Sequence, residues 1–132
     1  MSEFKLIETE FKDGDVLVES LKEMGYNPEI HETPVNLYGY KGDKRQQKAH
    51  IVIPRRQVGA ASNDVGFEKV GDKYKLHASQ FDSAWREGIK IKKLKMTYSE
   101  KKVMKIVKKT NRFSFKSRQE KEGKIKIKIN VR

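Results

Sequence analysis

The sequence contains no cysteine. That removes disulfide cross-links, thiolate metal centres and a cysteine nucleophile together. It suits a reducing compartment, and the cytoplasm is the expected location. Hydrophobic residues are also scarce, at 36%. No stretch approaches the roughly 18 consecutive apolar residues of a membrane span, so no membrane association is expected. The opening Met1-Ser2-Glu3-Phe4-Lys5 has no apolar core, so no secretory signal is expected either. Phosphate-cradling fingerprints are missing: there is no Gly-x4-Gly-Lys-Ser/Thr run and no Gly-x-Gly-x-x-Gly. His31, His50 and His77 stand apart, and no His-x3-His or His-Glu-x-x-His spacing occurs. The cluster Glu29-Ile30-His31-Glu32 is the nearest approach to a ligand set. No metal and no cofactor are therefore expected. The paired carboxylates Asp13/Asp15 and Glu120/Glu122 fit a helix start and a turn, so a non-enzymatic protein is the expectation.

What the sequence has in quantity is positive charge. Thirty Lys and Arg against eighteen Asp and Glu give a formal charge of +12 over 132 residues. That length suits one domain, residues 1–132. The charge is uneven. Up to Gly66 there are nine basic and eleven acidic residues, a net of −2. The remainder holds 21 basic and seven acidic residues, a net of +14. Such asymmetry points to a polyanionic partner, while a solvated lysine-rich surface is the plain alternative.

Periodicity outlines the elements. Phe4, Leu6, Ile7 and Phe11 mark a short β-prone stretch whose parity slips. Asp13-Gly14-Asp15 offers a helix start, Leu17, Leu21 and Met24 form one apolar stripe, and Gly25 a stop. A helix over 15–24 follows. Tyr26 to Glu32 and Val35 to Lys41 read as strand broken by Pro28 and Pro34, hence edge or irregular, able to be guarded or to pair with another copy. The oligomeric state is left open. Residues 49–53 read as a buried strand ended by Pro54, and Phe67–Val70, Gly71-Asp72 and Lys73–Ala78 as a hairpin with a primed turn. The stretch 81–88, with Trp85, fits a short helix or a connection.

Thr97-Tyr98-Ser99-Glu100 matches a capping box, predicting a helix over 98–110. A start near Trp85 is weakened by Gly88. Finally Ile125, Ile127, Ile129 and Val131 alternate with lysines, and Phe113 and Phe115 with basic residues. This predicts a terminal hairpin with an apolar inner face and a basic outer one. The expected fold is α+β: a single mainly antiparallel sheet with two principal helices packed on one face, its other face solvated.

Two surfaces are candidate sites. The first is basic: Lys101, Lys102, Lys105, Lys108 and Lys109 on the helix, and Lys116, Arg118, Lys124, Lys126 and Lys128 on the terminal strands. Lysine contacts phosphate without reading bases, which implies nucleic-acid or ribonucleoprotein binding of low sequence specificity. Outward lysines that prevent edge-to-edge aggregation are the alternative. The second is central. Tyr38 and Tyr40 share strand parity and present two rings beside Lys41, Lys44 and Arg45, a platform for a base, or simply two half-buried strand tyrosines. Arg55 and Arg56 can clamp a phosphate or a carboxylate jointly if the strand ends at Pro54. Asn63 and Asp64 lie in a polar loop whose side chains can fix nearby backbone.

The stretches Asn36-Leu37-Tyr38-Gly39-Tyr40-Lys41-Gly42-Asp43-Lys44-Arg45 and Ile51-Val52-Ile53-Pro54-Arg55-Arg56, followed by Ser62-Asn63-Asp64-Val65-Gly66-Phe67, carry a resemblance. Together they resemble a small uncharacterised family conserved as an open reading frame in cyanobacteria and red-algal plastids, found also in other bacteria and tailed phages. The resemblance implies a compact single domain and supplies no mechanism. For an organelle-encoded member it implies the plastid stroma. It also implies the company of ferredoxin-like proteins and AAA-type ATPases. An adaptor docking on such an acidic protein partner is therefore the alternative function.

Overall fold

A computed structural model describes residues 2–110, 113–121 and 124–131, with side chains described for 2–109. The first strand, β1 (Phe4–Ile7), is followed by helix α1 (Gly14–Glu23). The side chain of Asp13 accepts from the Val16 amide at 3.2 Å and starts the helix. Its end is a Schellman arrangement: Gly25 adopts φ +98°, its amide donates to Lys22, and the Tyr26 amide donates to Leu21. The expected apolar stripe is the buried one, with Leu17 and Leu21 fully enclosed.

Two strands, one turn of helix and two more strands follow α1. β2 (Glu29–Tyr38) is one continuous strand, not two. Its pairing with β3 (Lys44–Ile53) slips between Ile30 and Val35, around Pro34, and again between Asn36 and Tyr38. β3 is twice as long as the apolar run 49–53 suggested. Its polar first half, 44–48, hydrogen-bonds to β2 as backbone, which side-chain patterning does not reveal. A single turn of helix, α2 (Arg55–Val58), follows Pro54. β4 (Val65–Val70) and β5 (Lys73–Ser79) form the expected hairpin, with Gly71 at φ +67° in its two-residue turn. The five strands make one antiparallel sheet in the order β1-β5-β4-β3-β2.

After β5 come the short α3 (Ser83–Arg86) and the long α4 (Ile89–Thr110). The expected start of this helix at Tyr98, after a Thr97 cap, is nine residues late. Thr97 is 2% exposed inside the helix, so its capping box is unused. The helix starts after Gly88, whose carbonyl takes the Lys92 amide. A side chain at Gly88 would lie 2.9 Å from the Ser83 carbonyl oxygen and 3.0 Å from the Ala84 Cα. Glycine here permits the tight α3–α4 junction and sits outside α4, where it costs the helix nothing. Ile91, Leu94 and Tyr98 then bury one face. β6 (Phe113–Lys121) and β7 (Lys124–Val131) pair antiparallel in their own two-stranded sheet. Their register slips between Phe115 and Ser117, which sets Arg118 opposite Ile127.

α1 and α4 pack against each other, and the main core joins them to one sheet face through Ile51, Ile53, Val65, Phe67 and Leu76. Trp85, 1% exposed, lies edge-on to Phe67 and 5.7 Å from Tyr26. The other face is not simply solvated as expected. Phe4, Leu37, Ala49 and Val52 form a smaller buried cluster there, with Val35 against it. Leu37 and Ala49 close over Gly66, where an added Cβ would come within 2.7 Å of the Ala49 Cβ. No helix among the described residues is long and apolar enough to cross a membrane.

Candidate nucleic-acid interface

The central motifs meet where β2 ends. Asp64 is buried, and its two carboxylate oxygens accept from the Tyr38 amide at 2.8 Å and the Arg55 amide at 2.7 Å. The Asp64 amide in turn donates to the Tyr38 carbonyl at 2.9 Å. Burial pushes the Asp64 pKa up, and the two amide donors oppose that shift. Asn63 does the neighbouring work: its Oδ1 accepts from the Tyr40 amide at 2.9 Å and the Ser2 hydroxyl at 2.8 Å. Short polar side chains reach adjacent backbone in this way. The Asn63-Asp64 pair therefore clamps the backbone at Tyr38 and Tyr40, as a loop-fixing role requires.

Beside this clamp lies a broad open cleft of about 1020 Å³. Val35, Val52, Pro34 and Pro54 give it apolar lining, and Tyr38, Lys44, Arg55, Arg56, Asp64, Glu29 and His31 supply its polar groups. Tyr38 is 43% exposed, and Lys44, its register partner across the hairpin, is exposed too. β3 ends at Ile53, so the condition for a joint arginine clamp is met, and both Arg55 and Arg56 line the cleft. The Arg55 guanidinium donates to the Tyr40 carbonyl at 2.9 Å, while Arg56 is exposed.

Two expected members stand elsewhere. Tyr40 lies beyond the end of β2, does not line the cleft, and carries the Lys41 ammonium 5.6 Å from its ring. The turn after Tyr38 breaks the strand parity on which a two-ring platform depended. Arg45 ion-pairs with Asp43, donates to the Ser2 carbonyl at 2.8 Å and covers the Phe4 ring at 5.9 Å. It closes the minor core and is not a cleft residue.

The helical lysines divide likewise. Lys105 lies 2.6 Å and Lys102 3.5 Å from one Asp13 oxygen, and Lys101 lies 3.3 Å from Glu23. The Lys105 hydrogen bond leads the causes that hold the Asp13 pKa below its ordinary value. These lysines fasten α4 to α1. Lys108 and Lys109 are exposed and have no carboxylate partner among the described residues. Lys92, Lys93 and Lys95, within the longer α4, are exposed and likewise unpaired among the described residues. They went unnoticed as site residues because the helix was expected to start after them. Lys92 and Lys95 share one side of α4 a turn apart, whereas Lys102 and Lys105 point to the α1 cap at Asp13. The expected basic face of Lys116, Arg118, Lys124, Lys126 and Lys128 lies outside the residues with described side chains.

The histidines have local partners: His31 with Glu29 at 3.2 Å, His77 with Glu68 at 2.9 Å, and the His50 ring with the Lys69 amide at 3.0 Å.

A family model described as "Protein of unknown function (DUF1257)" matches residues 20–128. No curated protein and no solved structure matches the chain.

Proposed function

The chain belongs to this family of proteins of unknown function, and from that premise we propose a non-enzymatic role: binding nucleic acid, or a ribonucleoprotein, with low sequence specificity. The reading rests on the exposed lysines of α4, which at 22 residues is about 33 Å long. Lys92, Lys95 and Lys109 stand there exposed and without a carboxylate partner among the described residues. A row of ammonium groups along a rigid rod suits a phosphate backbone and carries little base code. The net +14 of the second half supplies the field that draws such a ligand in. The cytoplasm, or the stroma of a plastid, is the compartment this role fits.

The test is fluorescence anisotropy with labelled single-stranded and duplex oligonucleotides at two salt concentrations. Binding should weaken steeply with salt. Replacing Lys92→Glu together with Lys95→Glu, both exposed, should lower the salt slope by about 1.4, at roughly 0.7 per phosphate contact on a single strand. Absence of binding at low salt would remove the proposal.

A second reading, an adaptor for an acidic protein such as a ferredoxin-like protein or an AAA-type ATPase, draws on a different feature. Phe81 and Ile89 are each 75% exposed, and Lys90 lines a groove with Phe81. Phosphate binding has no use for such apolar surface. A 260/280 nm absorbance ratio that nuclease treatment leaves unchanged, with a single acidic protein recovered in pull-downs, would favour this reading over the first.

A further inference from the structure

The lysines of α4 account for attraction to any phosphate backbone, but they do not explain the cleft at the other end of the sequence motifs. We propose that this cleft is a subsite for one unpaired nucleotide: Tyr38 stacks the base, and Arg56, Arg55 and Lys44 hold the adjoining phosphate. The inference rests on the nucleic-acid reading and gives it a preference, single strand over duplex.

Three observations converge. First, Tyr38 is a preorganised platform. Its amide and its carbonyl are both held by Asp64, at 2.8 and 2.9 Å, so the backbone beneath the ring is fixed from two directions. Tyr38 is 43% exposed and lines the cleft. An exposed ring on a fixed backbone stacks a base with reduced ordering cost, and every base offers a π-face. Second, the cations are of the right kind and place. Arg55 is held by the Tyr40 carbonyl at 2.9 Å, Arg56 follows it immediately, and Lys44 is the register partner of Tyr38. Arginine's fork matches phosphate oxygens, and lysine adds a point charge. Third, the negative charge at the site is engaged. Both Asp64 oxygens accept backbone amides, and Glu29 contacts His31 at 3.2 Å. A duplex cannot present a base face to Tyr38 without flipping it out of the stack, so the cleft discriminates against paired strands.

The experiment uses the full chain and three probes: a single-stranded homopolymer, the same length of abasic backbone, and a duplex. Tyr38→Ala should lower single-strand affinity by about 5- to 150-fold, the range of one lost base–aromatic stack, with duplex affinity changed less than about twofold. Tyr38→Phe should retain the wild-type ratio. Tyr38→Trp supplies an optical readout, because the native Trp85 is buried. Its emission should be quenched by the homopolymer and not by the abasic strand. Circular dichroism of each variant checks the fold, which is expected to hold because Asp64 grips backbone rather than the ring. If wild type binds the homopolymer but Tyr38→Ala keeps its single-strand to duplex ratio, the cleft inference fails and the nucleic-acid reading stands. If wild type binds none of the three probes, both fall.

Discussion

Asp64→Asn is the most informative single change, because one carboxylate ties the end of β2 to the start of α2. The substitution keeps size and shape and leaves one carbonyl oxygen. The second position becomes an NH2 group that faces either the Tyr38 or the Arg55 amide, donor against donor. Losing one hydrogen bond to a charged group costs about 1.5–3 kcal/mol. Relief of burying a charge offsets part of that, leaving an expected net loss of about 1–2 kcal/mol at pH 7. In urea unfolding this lowers the midpoint by about 1 M with the slope unchanged. The pH dependence has a definite sign. Because burial raises the folded-state pKa above 3.8, the folded chain holds this proton more tightly than the unfolded one. Wild type should therefore exceed Asp64→Asn by most below pH 3.8. The gap should narrow as pH rises through the raised folded-state pKa. Single-strand affinity should fall with stability, because Tyr38 and Arg55, both cleft residues, are held by the same carboxylate and one of them is released. A midpoint within about 0.3 M of wild type, with unchanged affinity, would refute the clamp.

Gly66→Ala forces a methyl toward Ala49 and the Leu37 methyls, all within 2.9 Å. Overpacking of about 1–3 kcal/mol is expected in the same urea assay, and a neutral result would mean that the minor core yields freely. Asp13→Asn removes the negative charge that Lys102 and Lys105 share. The native Asp13 pKa is lowered, so its contribution is complete above pH 3.8 and fades as pH falls through the depressed folded value. The stability difference between wild type and variant, followed by thermal unfolding from pH 7 to pH 2, should shrink accordingly.

Local chemistry made some elements readable before any coordinates. Asp13, the Leu17/Leu21 stripe and Gly25 each act within one or two turns, and so does Gly71 in its hairpin. The misjudged elements are those where a local signal lost to a distant one. The Thr97–Glu100 box is sound capping chemistry, but Ile91 and Leu94 gain more by burial on the core than the box would gain by stopping the helix. Lys105 looked available because its neighbours three and four residues away, Lys101, Lys102, Lys108 and Lys109, are all basic. Its partner Asp13 is 92 residues away. The cleft was half legible: Tyr38, Lys44, Arg55, Arg56 and Asp64 were recognisable as chemistry-bearing. Their separation from Tyr40 and Arg45 depends on a turn geometry and on Ser2, which meets Asn63 across 61 residues.

The five-stranded sheet has two open borders, and neither invites a neighbour. β1 offers only four residues. β2 is long, but Pro34 supplies no amide hydrogen, and the register breaks on both sides of the Val35–Asn36 pair. A strand arriving from another molecule would find its hydrogen-bond ladder interrupted within a few residues. The same prolines and slips that obscured β2 in the sequence thus act as a terminator against fibril growth.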